Sequence, residues 1–137
     1  VSNGLRLVRF VDSKGYSAIV AQTFQSVLAR IHSQPDSAPE LLVALITSLT
    51  QPIEVIIAGE RNTAETRSML KTVNSVYYPG KIVMLVDNDT TQDRLAQYLP
   101  FIASVKKIDD KTTVYVCTDK TCKPPVTDPE AVKSLLN

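Results

Sequence analysis

The sequence predicts an α/β protein: an N-terminal helical segment, then a small mixed, mainly parallel sheet flanked by helices. Three observations carry this. Apolar residues recur at three- and four-residue steps up to Leu49, the signature of amphipathic helices. At Pro52 the period changes, and two short β-branched runs, residues 53–58 and 81–86, bracket a helix-patterned stretch. That order makes a βαβ unit with parallel strands. Finally, Asp128-Pro-Glu130 opens a run with Ala131, Val132, Leu135 and Leu136 on one side, a capped closing helix. The change of period divides the chain into a helical segment, residues 1–51, and an α/β domain, residues 52–137.

The elements follow in order. Leu5, Val8 and Val11 have helical spacing after a Ser2/Asn3 start signal, and Gly15 marks a break. Tyr16, Ile19, Val20, Phe24, Val27, Leu28 and Ile31 then line one face of a second helix, which Pro35 stops. Ser37 can cap a third, with Pro39 and Glu40 in its first turn and Leu41, Leu42, Leu45, Ile46 and Leu49 inward. Residues 53–58 form a strand buried on both faces, ended by Gly59. Asn62 or Thr63 caps the next helix, with Met69, Leu70, Val73 and Val76 inward, and Tyr77-Tyr-Pro-Gly80 turns into the strand at 81–86. A short helix around Leu95 stops at Pro100. Residues 105–108 and 112–117 flank Asp109-Asp-Lys111 as a hairpin, which brings antiparallel pairing to one sheet edge.

At 137 residues, 44% hydrophobic and 21% charged, the composition is that of an ordinary globular fold. A formal net charge of +1, with Lys106-Lys107 the one adjacent basic pair away from any basic-aromatic strip, argues against a nucleic-acid partner. No apolar run approaches the ~20 residues that span a bilayer, so no membrane partner is expected. The start, Val1-Ser-Asn-Gly4, lacks a signal core and Met, as an excised piece would, and leaves the localisation open.

Chemistry-bearing residues are sparse. Cys117 and Cys122 are close enough in sequence for a disulfide, but their spacing is not the Cys-x-x-Cys of a thioredoxin-type centre. A zinc site would need further ligands, and His32 is the one histidine. Reduced structural thiols are favoured over a local disulfide, and both over redox or metal chemistry. Asp87-Asn-Asp-Thr-Thr91 after an apolar strand resembles the Asp-x-Asp-x-Thr motif of haloacid-dehalogenase-type phosphotransferases, in which two carboxylates hold Mg²⁺. Its position late in the chain favours a turn in which Asp89 or Thr90 caps the next helix. Gly59-Glu-Arg-Asn-Thr63 has one glycine, too few for a phosphate loop, though Arg61 can meet an acidic partner. His32 fits a solvated helix end, and Tyr77-Tyr78 a sheet-edge cover rather than a sugar platform.

The chain resembles the C-terminal end of the spermatogenesis-associated protein 20 family, also described as thioredoxin-domain-containing proteins. The resemblance rests on Val55-Ile-Ile-Ala-Gly59 with Thr63-Ala-Glu-Thr66, on Ser75-Val-Tyr-Tyr-Pro-Gly-Lys-Ile-Val83, on Leu99-Pro-Phe101, and on the string from Val114 through Cys117 and Cys122 to Glu130. It implies a larger protein with an N-terminal thioredoxin-like domain and an (α/α) toroid of the six-hairpin glycosidase type, residues 1–51 being the toroid's last helices. Neither the thioredoxin Cys-x-x-Cys domain nor most of the toroid is in this sequence, so no catalytic residue carries over.

The sequence therefore leads to a structural or interaction module of no catalytic activity, with no cofactor and no metal. Its expected partners are upstream domains of the same polypeptide, with self-association through an apolar face of residues 1–50. The alternative is a thiol-disulfide redox role through Cys117 and Cys122.

Overall fold

The computed structural model describes residues 2–8, 14–34, 36, 39–119 and 121–136. They form two compact units, Val1–Gln51 and Pro52–Asn137.

The first unit is helical. Helix α1 spans Ser2–Leu7, α2 Lys14–Ser33 and α3 Pro39–Leu49, and α3 packs on both others. Gly15 does not break the chain; it lies in the first turn of α2. N–H groups there have no intrahelical acceptor to lose, so glycine is tolerated. Val11 and Ser37 fall outside the described residues. Ala44 on α3 is fully buried and Ile31 on α2 nearly so, while Tyr16, Val20, Phe24 and Val27 are half-buried. Ile19 and Leu28, expected on the same face, are exposed. Helix α3 is apolar almost all round, and it leaves Val43, Ile46 and Leu49 at 44%, 51% and 79% exposure.

The second unit is built on a four-stranded mixed sheet in the order β2-β1-β3-β4, with β1 Ile53–Ala58, β2 Lys81–Val86, β3 Thr113–Thr118 and β4 Thr121–Cys122. Strands β1 and β2 run parallel, Ile53 opposite Lys81 and Ala58 opposite Val86. They are joined by α4, Ala64–Ser75, as the βαβ pattern requires. The expected α/β class thus holds, but the balance of pairings does not: β1–β3 and β3–β4 are both antiparallel, so the sheet is not mainly parallel.

Side-chain alternation gives the sheet two buried faces. Ile53, Val55, Ile57, Val114 and Val116 meet Met69 and Val73 of α4 and Val132 and Leu136 of α6, Pro129–Leu136. Ile56, Ala58, Met84, Val86, Thr113 and Cys117 alternate to the other face and are buried as well. Next to β2 lies α5, Asp89–Ala96, followed by a 3₁₀ turn, Pro100–Ser104, which packs on α5.

The caps explain where the helices begin. Thr63 Oγ1 accepts the Thr66 N–H, and Asp128 Oδ2 accepts the Ala131 N–H. At α5 the cap is Asn88, whose Oδ1 accepts the Thr91 N–H at 2.8 Å, one residue before the expected Asp89 or Thr90. Lys81 closes the far end of α4, its ammonium donating to the carbonyls of Val73 and Val76.

The expected hairpin around residues 109–111 is displaced. Residues 105–108 are not a strand, because side chains of β3 take the backbone groups a ladder would use. The Tyr115 hydroxyl donates to Lys106 O and accepts from Lys106 N, and Thr113 Oγ1 accepts from Ile108 N. One bridge, Ile108 to Lys111, remains around Asp109 and Asp110, both at positive φ. The true hairpin is β3–β4, with Thr118 opposite Thr121 and Asp119 at φ 48°, as primed turns require.

Candidate functional site

Two places gather chemically capable residues. The first is the β3–β4 hairpin. Its register sets Cys117 directly opposite Cys122, and the two form a disulfide with Cα atoms 3.9 Å apart. Adjacent Thr118 and Thr121 pair by hydrogen bonds, and Lys123 N donates to Val116 O at 2.9 Å. The cysteines therefore occupy the non-hydrogen-bonded pair between them, where strands approach most closely. The preference for reduced thiols missed this, because it depended on the turn being two residues long, and no glycine or asparagine announces that turn. Cys117 is 0% exposed, whereas Cys122 is exposed. Glu54 of β1 is the cross-strand neighbour of Cys117 on the same face.

The second is a cleft of about 380 Å³ at the carboxyl ends of β1 and β2, where open α/β sheets hold ligands. Gly59, Glu60, Asp87, Asn88, Asp89, Lys106 and Lys107 line it. Of its charged side chains, Asp87, Glu60 and Lys107 form ion pairs. Arg61 Nε donates to Asp87 Oδ2 at 2.9 Å, with the Asp87 side chain 12% exposed. Lys107 reaches Asp110 at 2.6 Å and Glu60 at 3.5 Å. The Thr91 hydroxyl, then the Arg61 guanidinium, hold the Asp87 carboxyl below its ordinary value, and the Asp110 carboxylate raises the Lys107 ammonium. Arg61 engages one Asp87 oxygen, Oδ2, and leaves Oδ1 buried without a hydrogen bond. Among the described residues no three His, Cys, Asp or Glu side chains converge as a metal set.

The remaining candidates stay apart. His32 is exposed in the last turn of α2. Tyr78 packs on the sheet core while Tyr77, at 86% exposure, does not, so the aromatic pair covers the edge with one ring. Sequence reasoning missed the hydroxyl chain behind the cleft: Thr63 Oγ1 donates to Thr66 Oγ1 at 2.9 Å, and Thr66 Oγ1 lies 2.9 Å from Thr112 Oγ1. No described helix is long and apolar enough to cross a membrane.

A helical unit and a disulfide-closed four-stranded mixed sheet define a small α/β module. Spermatogenesis-associated protein 20 of Homo sapiens is 30% identical over 135 residues, and that of Mus musculus 29% over 135 residues, each covering 98% of this chain. The Rattus norvegicus protein of the same name is 31% identical over 108 residues, 79% of the chain. The chain is a homologue of spermatogenesis-associated protein 20 and corresponds to its C-terminal part. It spans 17% of the length of the human and mouse relatives. No family model and no solved structure matches it.

Proposed function

We propose that this chain is a non-catalytic structural and interaction module of a longer spermatogenesis-associated, thioredoxin-like polypeptide. Its helical unit docks on upstream domains of that polypeptide. The observation that carries the reading is the Val43, Ile46 and Leu49 stripe on α3. Residues three apart share a helix face, and a helix apolar all round is ordinarily buried. The relatives' greater length supplies a covering partner, and the six-hairpin toroid that the family resemblance implies would do so with helices.

Co-expression of the chain with the remainder of the longer polypeptide, as two separate pieces, tests this. Co-purification that is lost in an Ile46→Asp, Leu49→Asp variant is the expected result. Failure of the native pieces to associate overturns it.

A second reading, thiol-disulfide exchange catalysed at Cys117 and Cys122, is favoured by one observation, the exposure of Cys122. Against turnover stands the leaving group: a thiolate expelled at Cys117 would form at a fully buried position beside Glu54, where negative charge is disfavoured. Insulin reduction by the chain with a dithiol present decides it, and a rate no greater than the dithiol alone removes the reading.

A further inference from the structure

The strap from Thr121 to Pro125 is held to the sheet by one covalent bond and a short ladder, and to α6 by Lys123 Nζ, which donates to Leu135 O at 3.0 Å. Thr121, Cys122, Lys123, Pro124 and Pro125 are all exposed. Strand β4 adds two residues to the ladder, and the next tie is the single bond from Lys123 N to Val116 O. Pro124 and Pro125 have no N–H to donate. Beyond them the chain is anchored again: Val114 and Val126 exchange both backbone bonds, at 2.8 and 3.0 Å. Beneath the strap lies Cys117, fully buried.

We propose that this hairpin is a thiol-operated latch. With the disulfide formed, the strap covers the outer edge of β3. With it reduced, residues 121–125 lift away, breaking the Lys123 bond to Leu135 O, while Val126 and α6 stay in place. Few buried contacts and a short ladder mark the part of a fold that opens locally. Opening uncovers the Cys117 thiol and the edge groups of Val116 and Thr118, which then offer a pairing edge.

The electrons come from an external dithiol. One of its thiolates attacks Sγ of Cys122, the exposed member of the pair. A bond forms between the reductant and Cys122 as the Cys117–Cys122 bond breaks, its electron pair leaving on Cys117, which takes up a proton. The second thiolate of the reductant then attacks the reductant's own sulfur in the mixed disulfide and releases Cys122, which is protonated in turn. The protein gains two electrons and two protons, and the dithiol becomes a disulfide. The buried leaving position makes each exchange slow, which suits a switch rather than turnover.

Amide hydrogen exchange by NMR on the full chain, oxidised and then reduced with dithiothreitol, tests the latch. On reduction, Thr121 and Lys123 should lose nearly all protection. Val126 and the β1 amides should keep theirs to within the roughly thirtyfold change that a lost short cross-link imposes on global unfolding. Thr121 and Lys123 remaining as protected as β1 would overturn the latch, and so would β1 losing protection with them. A Cys122→Ser variant gives a second readout: Cys117 should react with iodoacetamide under native conditions. A Cys117 that reacts in urea but not in the folded variant counts equally against the proposal.

Discussion

The hydroxyls of Thr66 and Thr112 meet at 2.9 Å, fully buried, and tie the start of α4 to the segment entering β3. Thr63 extends the chain to the helix cap. Thr66→Val keeps the side-chain shape and strands the Thr112 hydroxyl without this partner. An unsatisfied buried hydroxyl costs about 1–3 kcal/mol, so the urea midpoint should fall accordingly. Asn88→Ala, which removes an exposed cap, should cost about 1 kcal/mol in the same assay.

Gly59 sits against the same pair. A β-carbon there would lie 2.5 Å from Thr66 Oγ1 and 2.8 Å from Thr112 Oγ1. Neither threonine can swing aside without breaking the bond between them. Gly59→Ala should destabilise by about 2 kcal/mol, in the range of overpacked cores, as measured by chemical denaturation.

The cysteines are five residues apart, so the cross-link closes a short loop. The chain-entropy estimate for such a loop is about 2 kcal/mol. Cys117→Ala, Cys122→Ala should lower unfolding stability by roughly that amount without loss of the far-ultraviolet spectrum. A much larger drop would mean the disulfide holds more than the hairpin.

Asp87 gives an acid dependence of definite sign. Its carboxyl is held low by the Thr91 hydroxyl and by Arg61, so the folded state favours the ionised form. That stability is fully present above the unfolded carboxyl's ordinary value and is lost as pH falls through the lower folded value. Denaturation midpoints between neutral pH and about pH 2 should fall less steeply for Asp87→Asn than for the native chain.

The βαβ unit was legible because local and tertiary signals agree there: continuous β-branched runs, a glycine stop and a threonine cap at the right spacing. The last third was harder. Val105 reads as strand because it is apolar, yet it is buried in a loop whose backbone groups go to the side chains of Tyr115 and Thr113. Tyr115 and Thr113 look like ordinary strand residues in sequence, and nothing marks them as acceptors for a loop nine or five residues away. The same holds for the paired cysteines, whose register depends on a turn that uses an aspartate where asparagine or glycine would announce it. The cleft's charge pairing was invisible for a related reason: Arg61 and Asp87 meet only because β1 and β2 end side by side.

The central position of β1 has a consequence for how the molecule comes into being. Its Glu54 aligns with Ile82 on one side and with Cys117 on the other. On a ribosome, the parallel half of the sheet is synthesised complete while the opposite flank of β1, with Val55, Ile56 and Ile57 at its centre, still awaits its mate. Such distant pairing is slow to form. The nascent chain must therefore shield that flank until β3 has emerged, and this interval is when chaperones matter most to it.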